Sequence, residues 1–229
     1  MKTVLITGGS GNLGTAAVAA FLQDGCKVVA AVRDEEDKNK LLEHPNLRVQ
    51  AVNLQDEGET TAFIQNLTAT TPVHTALLLA GGYAPGDIEH TTLDGIRSQI
   101  SLNFETAYAI ARPLFQHMLQ QGTGRLVFIG SQPALMPRKG KTSLAYALSK
   151  ALLFNLAEIL NEAAKGTDVV TSVVVPSTID TPPNRESMPS ADPSKWVQPA
   201  ELAGVLRFIC SDEAAALREP VFKVYKNTF

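Results

Sequence analysis

Tyr146-Ala-Leu-Ser-Lys150 sets a phenol and an ammonium one helical turn apart, on the same face of a helix. A Lys charge beside a Tyr hydroxyl favours the phenolate, so the phenol can give or take a proton closer to neutral pH. Taken alone, Tyr-x-x-x-Lys is a common surface pattern. Its weight comes from Thr7-Gly8-Gly9-Ser10-Gly11-Asn12-Leu13-Gly14, a glycine-rich loop between an apolar run and a helix. Such a loop presents unpaired backbone N–H groups and the positive end of a helix dipole, a geometry that binds a pyrophosphate. Joined to a proton-transfer pair, it points to hydride transfer with a nicotinamide dinucleotide. Gly8, Ser10, Gly11, Asn12, Leu13 and Gly14 are the loop residues expected at the cofactor, with Gly8 and Gly14 allowing the tight turn and close approach. The spacing is Thr-Gly-x-x-x-Gly-x-Gly rather than G-x-G-x-x-G, and Asn12 stands for its middle glycine. Asn tolerates a left-handed backbone better than other residues with a Cβ, so the turn is expected to survive.

Dinucleotide sites commonly carry an acid at the end of the second strand, where it binds the ribose 2′-hydroxyl. Here that strand ends Ala31-Val32-Arg33-Asp34. Arg33 can pair with a 2′-phosphate and stack on adenine, which favours NADP(H). If Arg33 is instead solvated and Asp34 takes the acidic role, the cofactor is NAD(H).

These residues need a frame, and the chain alternates short apolar runs with helix-like stretches, the pattern of a parallel sheet covered on both faces. Strands are predicted at Val4–Ile6, Lys27–Val32, Leu47–Val52, Thr75–Leu79, Arg125–Ile129 and Val169–Val175, with an edge strand at Val221–Tyr225. Helices are predicted at Leu13–Asp24, Glu35–Glu43, Gly58–Leu67, Leu93–Ser101, Phe104–Gln121, Ser143–Lys165 and Pro199–Ser211. With 229 residues, this reads as one doubly wound α/β domain over 1–229. The segment 176–199 is the one long irregular stretch, and its place after a strand makes it a candidate substrate lid.

Composition narrows the function classes. A net charge of −3 gives no electrostatic footprint for nucleic acid or an anionic membrane. No apolar run approaches the ~20 residues of a membrane span. Cys26 and Cys210 stand apart, outside any CxxC or Cys/His cluster, and read as thiols in a reducing cytoplasm. His44, His74, His90 and His117 have no ligand spacing, and no metal site is expected. The Ala- and Leu-rich helices 104–121 and 143–165 each have a second face that pairs either with the core or with another subunit.

The glycine loop, Asn103, Ser131, Tyr146 and Lys150 occur in the order found in the short-chain dehydrogenase/reductase family, which the chain resembles over nearly its whole length. The resemblance implies a Rossmann-type sheet and an NAD(P)H-dependent oxidoreductase, commonly a homodimer or homotetramer built through the two long helices. It makes Tyr146 the general acid, Lys150 the group that holds the nicotinamide ribose and lowers the Tyr pKa, and Ser131 the donor to the substrate carbonyl. Asn103 would hold a water in a proton relay from Lys150. Asn53 and Leu54 would lie near the adenine, and Ala80, Gly81 and Gly82 beside the cofactor, with Leu78-Leu79 replacing the family's Asn-Asn. Pro176 and Thr181 match a Pro-Gly-x-x-x-Thr motif with Ser177 for the glycine, and Thr178 falls inside it. Thr181 would contact the nicotinamide carboxamide. Ser131 to Tyr146 spans about two residues more than the family's common spacing. A Ser131 that only caps the following turn is the alternative.

Within this family, the run Ile179-Asp180-Thr181-Pro182-Pro183-Asn184-Arg185-Glu186-Ser187-Met188-Pro189-Ser190-Ala191-Asp192, followed by Trp196, is similar to the dihydropteridine reductases, as is Ala80-Gly81-Gly82-Tyr83-Ala84. That similarity implies a quinonoid dihydropterin substrate or a carbonyl or quinone. Tyr83 would stack on a flat heterocycle or pack within a loop, and Met188 and Trp196 would give apolar cover. Arg33 in place of an acid, and a retained Ser131 and Asn103, are instead the equipment of a general carbonyl reductase or alcohol dehydrogenase. The reading of another class is a dinucleotide-binding regulatory protein without turnover.

Overall fold

The computed structural model describes residues 1–226. Seven strands form one parallel sheet: β1 (Thr3–Thr7), β2 (Lys27–Val32), β3 (Leu47–Ala51), β4 (Thr75–Leu78), β5 (Thr123–Ile129), β6 (Asp168–Pro176) and β7 (Val221–Val224). Their order is β3-β2-β1-β4-β5-β6-β7. The order reverses between β1 and β4, so the loops after those two strands diverge and leave a crevice at the carboxyl edge of the sheet.

Alternation along each strand feeds two cores. Leu5, Val29, Ala31, Ala76, Leu78, Leu126, Phe128, Val173 and Val175 point to one face. There they meet Phe63, Ile64 and Leu67 of α2 (Glu57–Thr70), Ile110, Leu114 and Met118 of α4 (Thr106–Gln121), and Leu153 and Ala157 of α7 (Leu144–Ala163). The intervening Val4, Ile6, Val28, Ala30, Leu77, Val127 and Val174 point to the other face. They pack on Val18 and Phe21 of α1 (Asn12–Gln23) and on Leu202 and Leu206 of α9 (Pro199–Ile209). Each such side chain taken fully from water contributes ~1.5–3 kcal/mol, so a central strand buried on both faces cannot shift register cheaply.

Four stretches depart from the sequence prediction. The helix expected over 35–43 is only a 3₁₀ turn, Glu36–Lys40. Its polar residues offer no apolar stripe to bury, and it is held by Asp37 N–H donating to Asp34 Oδ1 (2.9 Å) and by a Glu35–Lys38 pair. The helices expected at 93–101 and 104–121 are one continuous rod: α3 (Leu93–Ile100) runs through a π turn, Ser101–Glu105, into α4. Between β5 and α7 the chain forms two single-turn helices, α5 (Gln132–Leu135) and α6 (Pro137–Gly140). The stretch 176–199, expected to be irregular, carries α8 (Pro182–Ser187) and a 3₁₀ turn, Pro193–Lys195. Among the described residues no helix is long and apolar enough to cross a membrane.

Candidate active site

The glycine loop lies where β1 feeds α1. Gly8 takes the left-handed backbone (φ +64°), and a Cβ on it would meet the Ala80 backbone at 3.0 Å. At Gly14 a Cβ would come 2.1 Å from Gly8 O, so helix and turn fit together only without a side chain there. Asn12 needs no special backbone: it is the first residue of α1 and has no positive φ. The expectation of a left-handed Asn12 is therefore corrected, and the missing glycine costs the turn nothing. Gly11 caps α1 without a side-chain bond, which leaves the first-turn N–H groups of Asn12, Leu13 and Gly14 without a capping side chain.

A cleft of about 330 Å³ runs from this turn along the crevice, lined among others by Ser10, Arg33, Asp37, Asn53, Leu54 and Gly81. Arg33 is 80% exposed; its guanidinium donates to Asp34 (3.0 Å) and reaches Asp37 at 3.9 Å. Asp37 also lines the cleft, from the stretch 35–43 that the sequence reading placed in a helix. It is buried, and bonds from Lys40 and Ser10 hold its carboxyl below the ordinary range. Nothing in the charge run 35–40 distinguishes it from its neighbours except its (i, i+3) relation to Asp34.

Asn103 is fully buried on the π turn. Its Oδ1 accepts from Gly82 N–H (3.0 Å), while Nδ2 donates to Gly82 O (3.0 Å), Gln99 Oε1 (3.1 Å) and Ser149 Oγ (3.2 Å). This geometry makes Asn103 a clamp on the loop after β4. Thr7 Oγ1 accepts from Ala80 N–H (3.2 Å), so these two side chains replace the hold that Leu78 and Leu79 cannot supply. Ala80 and Gly81 are thereby brought to the cleft.

Tyr146 and Lys150 face the same loop from α7. Lys150 Nζ donates to Ile129 O (3.0 Å), and burial pulls its pKa down to about 8. Burial also raises the Tyr146 phenol, against a lowering contact from Ser131 and a smaller raising effect of Tyr83. The lowered phenol expected from Lys150 is corrected here, because burial is the largest effect and only the Ser131 contact opposes it. Ser131 does reach Tyr146 despite the longer spacing. Its hydroxyl is buried and makes no well-aligned hydrogen bond, and although it is the N-cap residue of α5 it does not cap that helix through its side chain. Tyr83, 63% exposed, meets the Tyr146 ring edge-on with centroids 5.1 Å apart.

The segment after Pro176 is an ordered strap. Asp180 takes two bonds from Arg185 (2.6 and 2.7 Å) and one from Gln198 (2.7 Å), which push its carboxyl down to about 2. Thr181 caps α8 by accepting from Asn184 N–H (3.3 Å), and Thr178 O accepts from Val197 N–H (2.9 Å). Met188 is partly exposed, whereas Trp196 is 5% exposed and offers a ligand almost no surface. Away from the site, His74, His117 and His44 accept backbone N–H groups, and His90 pairs with Asp87, a carboxylate partner the sequence did not reveal. No cluster among the described residues could hold a metal ion.

This arrangement has known counterparts. The profile of the short chain dehydrogenase family matches residues 2–192. The chain belongs to that family. It is an NAD(P)H-dependent oxidoreductase of the short-chain type. It is 26% identical over 230 residues to the acetoacetyl-CoA reductase of Acinetobacter sp. (strain RA3849), covering 93% of this chain and 92% of that one. It is 28% identical over 208 residues to the dihydropteridine reductase of Dictyostelium discoideum, covering 88% and 84%. Among solved structures it superposes on ElxO with NADP bound at a TM-score of 0.91, with 18% identity over 99% of this chain and 98% of that one.

Lys150 gives the site a signature in stability. The unfolded state binds its proton up to the ordinary Lys value of 10.5, the folded state only to about 8. Between those limits the unfolded chain holds more protons, so stability rises with pH. Relative to Lys150→Met, the wild type should gain on the order of 3 kcal/mol from pH 8 to 10.5 and nothing below pH 8. Urea midpoints of both proteins across that range measure it, and parallel curves would show that Lys150 stays charged.

Proposed function

We propose that this protein is an NADP(H)-dependent reductase of a small carbonyl substrate, with Tyr146 delivering the proton to the carbonyl oxygen. The reading rests on the Ser131 hydroxyl, buried without a well-aligned partner beside the Tyr146 phenol. A donor in that state suits a developing oxyanion, because it spends no existing bond to make the new one. Gly8, Ser10, Gly11, Asn12, Leu13 and Gly14 would hold the pyrophosphate, Asn53 and Leu54 would flank the adenine, and Ala80, Gly81 and Gly82 would carry the chain beside the ribose. Pro176, Thr178 and Thr181 would border the nicotinamide end. The cofactor, when bound, supplies the hydride. Lys150 would fix the nicotinamide ribose, and Asn103 would hold Gly82 and Ser149 in place around it. Arg33 would leave Asp34 for a 2′-phosphate, in keeping with the NADP bound by the structural relative ElxO.

A second reading, reduction of a quinonoid dihydropterin, is favoured by Tyr83. Its ring walls the site beside Tyr146, where a flat heterocycle would stack, and the strap's run 179–192 resembles that of the dihydropteridine reductases. Met188 would close over either substrate, while Trp196 shapes the strap from within. The same reading treats residues 1–229 as one cytoplasmic domain with a lid over 176–199, free of nucleic-acid and membrane partners. Leu148, Leu152 and Ile159 are exposed along one side of α7, with Tyr108 exposed on α4. They support a homodimer through these helices, or a homotetramer, which sedimentation equilibrium would read directly. A monomer at micromolar concentration would refute it.

NADPH oxidation should proceed with 3-oxoacyl thioesters, aldehydes, ketones or quinones more readily than with chemically generated quinonoid dihydropterin. Tyr146→Phe should lower kcat/KM by on the order of 10²–10⁴-fold while NADPH affinity stays within a few fold. Activity surviving that change would sink the mechanism, and tight cofactor binding without any turnover in the wild type would leave a regulatory protein. Arg33→Asp should shift preference from NADPH to NADH by roughly tenfold or more, as expected for loss of a charge-assisted phosphate contact. An unaltered ratio of kcat/KM values would remove Arg33 from cofactor choice.

A further inference from the structure

The flap between Ser131 and Tyr146 carries a cluster that the reaction does not use. Arg138, Lys139 and Lys141 fall within a few residues of one another, and none of them makes an ion pair among the described residues. By contrast, Lys38 pairs with Glu35, Lys40 with Asp37, and Arg125 and Arg218 with Asp168. An acidic chain that leaves these cations unmatched at the edge of its site holds uncompensated positive charge there.

Behind them stands a second, independent observation. Gln132, next to Ser131, is only 5% exposed, and its Oε1 accepts from Lys139 Nζ. A Lys ammonium has no acceptor, so this contact fixes the amide orientation and leaves Nε2 as the free arm of the amide. That Nε2 is buried without a hydrogen-bond partner. A buried amide donor left unpaired is destabilising, and an incoming acceptor would remove that penalty. Lys139 is itself partly desolvated, which together with Arg138 lowers its pKa.

The flap is also anchored so that its position relative to the reacting groups is set. Gly140 packs so tightly that a Cβ would lie 2.7 Å from Pro133 O and 3.3 Å from the Ala147 side chain, beside Tyr146. At its far end Gly86 N–H donates to Thr142 O (3.0 Å) and Leu144 N–H to Gly86 O (2.7 Å).

We infer that Gln132, Arg138, Lys139 and Lys141 form a subsite for an anionic oxygen group, a phosphate or a carboxylate, carried by the substrate at a distance from its reducible carbonyl. The inference rests on the carbonyl-reductase reading and adds what its substrate must bring. Gln132 Nε2 and Lys139 Nζ would donate from below, with Arg138 and Lys141 supplying charge from the solvent side. These are specificity residues, since nothing places them at the transferred proton.

Three substrates with one acyl group separate the possibilities: acetoacetyl-CoA, the neutral acetoacetyl-N-acetylcysteamine thioester, and acetoacetate. In the variant carrying Arg138→Gln, Lys139→Gln and Lys141→Gln, KM for an anionic substrate should rise by about tenfold or more. The neutral thioester should change by less than about twofold in both KM and kcat. A loss confined to the CoA thioester identifies phosphate, and one confined to acetoacetate identifies carboxylate. Gln132→Glu, which removes the donor and neutralises Lys139, should reproduce the same selective loss. Equal losses on the neutral thioester, or no loss on either anion, would overturn the subsite. Calorimetric titration of coenzyme A and of acetoacetate into the NADP⁺-saturated protein decides the matter without turnover. Binding by the wild type that the triple variant loses supports the subsite, and no binding of either anion overturns it. Failure to reduce any of the three compounds counts against the carbonyl reading instead.

Discussion

One buried amide ties the parts of this site together. Asn103 exchanges hydrogen bonds in both directions with Gly82 and donates to Gln99 and Ser149, so a single side chain links the loop after β4, the α3–α4 rod and α7. Away from water, each unmade bond of such a group costs about 1–3 kcal/mol, so the partners hold position collectively. The π turn at 101–105 places Asn103 within the rod, and an insertion of this kind in an otherwise regular helix commonly marks a functional site. The clamp also sets how near the loop comes to Lys150. At Gly81 a Cβ would lie 2.5 Å from Asn103 Oδ1 and 3.2 Å from Lys150 Nζ, so glycine is the residue that lets chain and cation meet.

Lys150 is the electrostatic counterpart of that crowding. It is a buried cation that donates to a neutral carbonyl, Ile129 O, and among the described residues it pairs with no carboxylate. Burial without an opposite charge penalises the ammonium, and a pKa near 8 leaves it mostly charged at neutral pH by a narrow margin. Any ligand that brings negative charge to the cleft makes the ammonium easier to keep. The protonated Lys then favours that ligand to the same extent, since the coupling is reciprocal. Tyr146 lies on the other side of this balance. Its phenol is held neutral by burial, the form required of a proton donor, and Ser131 moderates the shift.

Much of this was legible in the sequence because it rests on periodicity. The alternation in Val4-Leu5-Ile6, Leu126-Val127-Phe128 and Val173-Val174-Val175 sends side chains to both faces of the sheet, and only a sheet covered twice can use it. The four-residue interval of Tyr146 and Lys150 likewise survives any detail of helix packing. What stayed hidden depends on distant partners. Residues 35–43 have the composition of a helix start but no apolar stripe, so local bonds from Asp34 and Glu35 shaped them into a 3₁₀ turn and buried Asp37 at the cleft. The joining of α3 to α4 through a π turn could not be read from 101–105, because it answers to Gly82 and Ser149. Asn12 differs for another reason: the left-handed position of the loop lies at Gly8, so the residue that stands for the middle glycine joins α1 as an ordinary helical residue.

The long interval between Ser131 and Tyr146 shows how such a fold separates chemistry from selection. Extra residues within a strand or a packed helix would rotate every following side chain off its face. Placed between the end of β5 and the start of α7, they fold back as α5 and α6, while Ser131 stays fixed by the strand and Tyr146 by the helix. Gly140 packs against Pro133 and Ala147, and Gly86 bonds to Thr142 and Leu144. Both ends are therefore held whatever the middle contains. The proton-transfer groups depend on the sheet and on α7, whereas Gln132, Arg138, Lys139 and Lys141 depend only on the flap. Substitutions in the flap can thus alter which substrates are retained without moving the hydroxyls that act on the carbonyl, which makes it the place where charge selectivity can be built at least cost to the reaction.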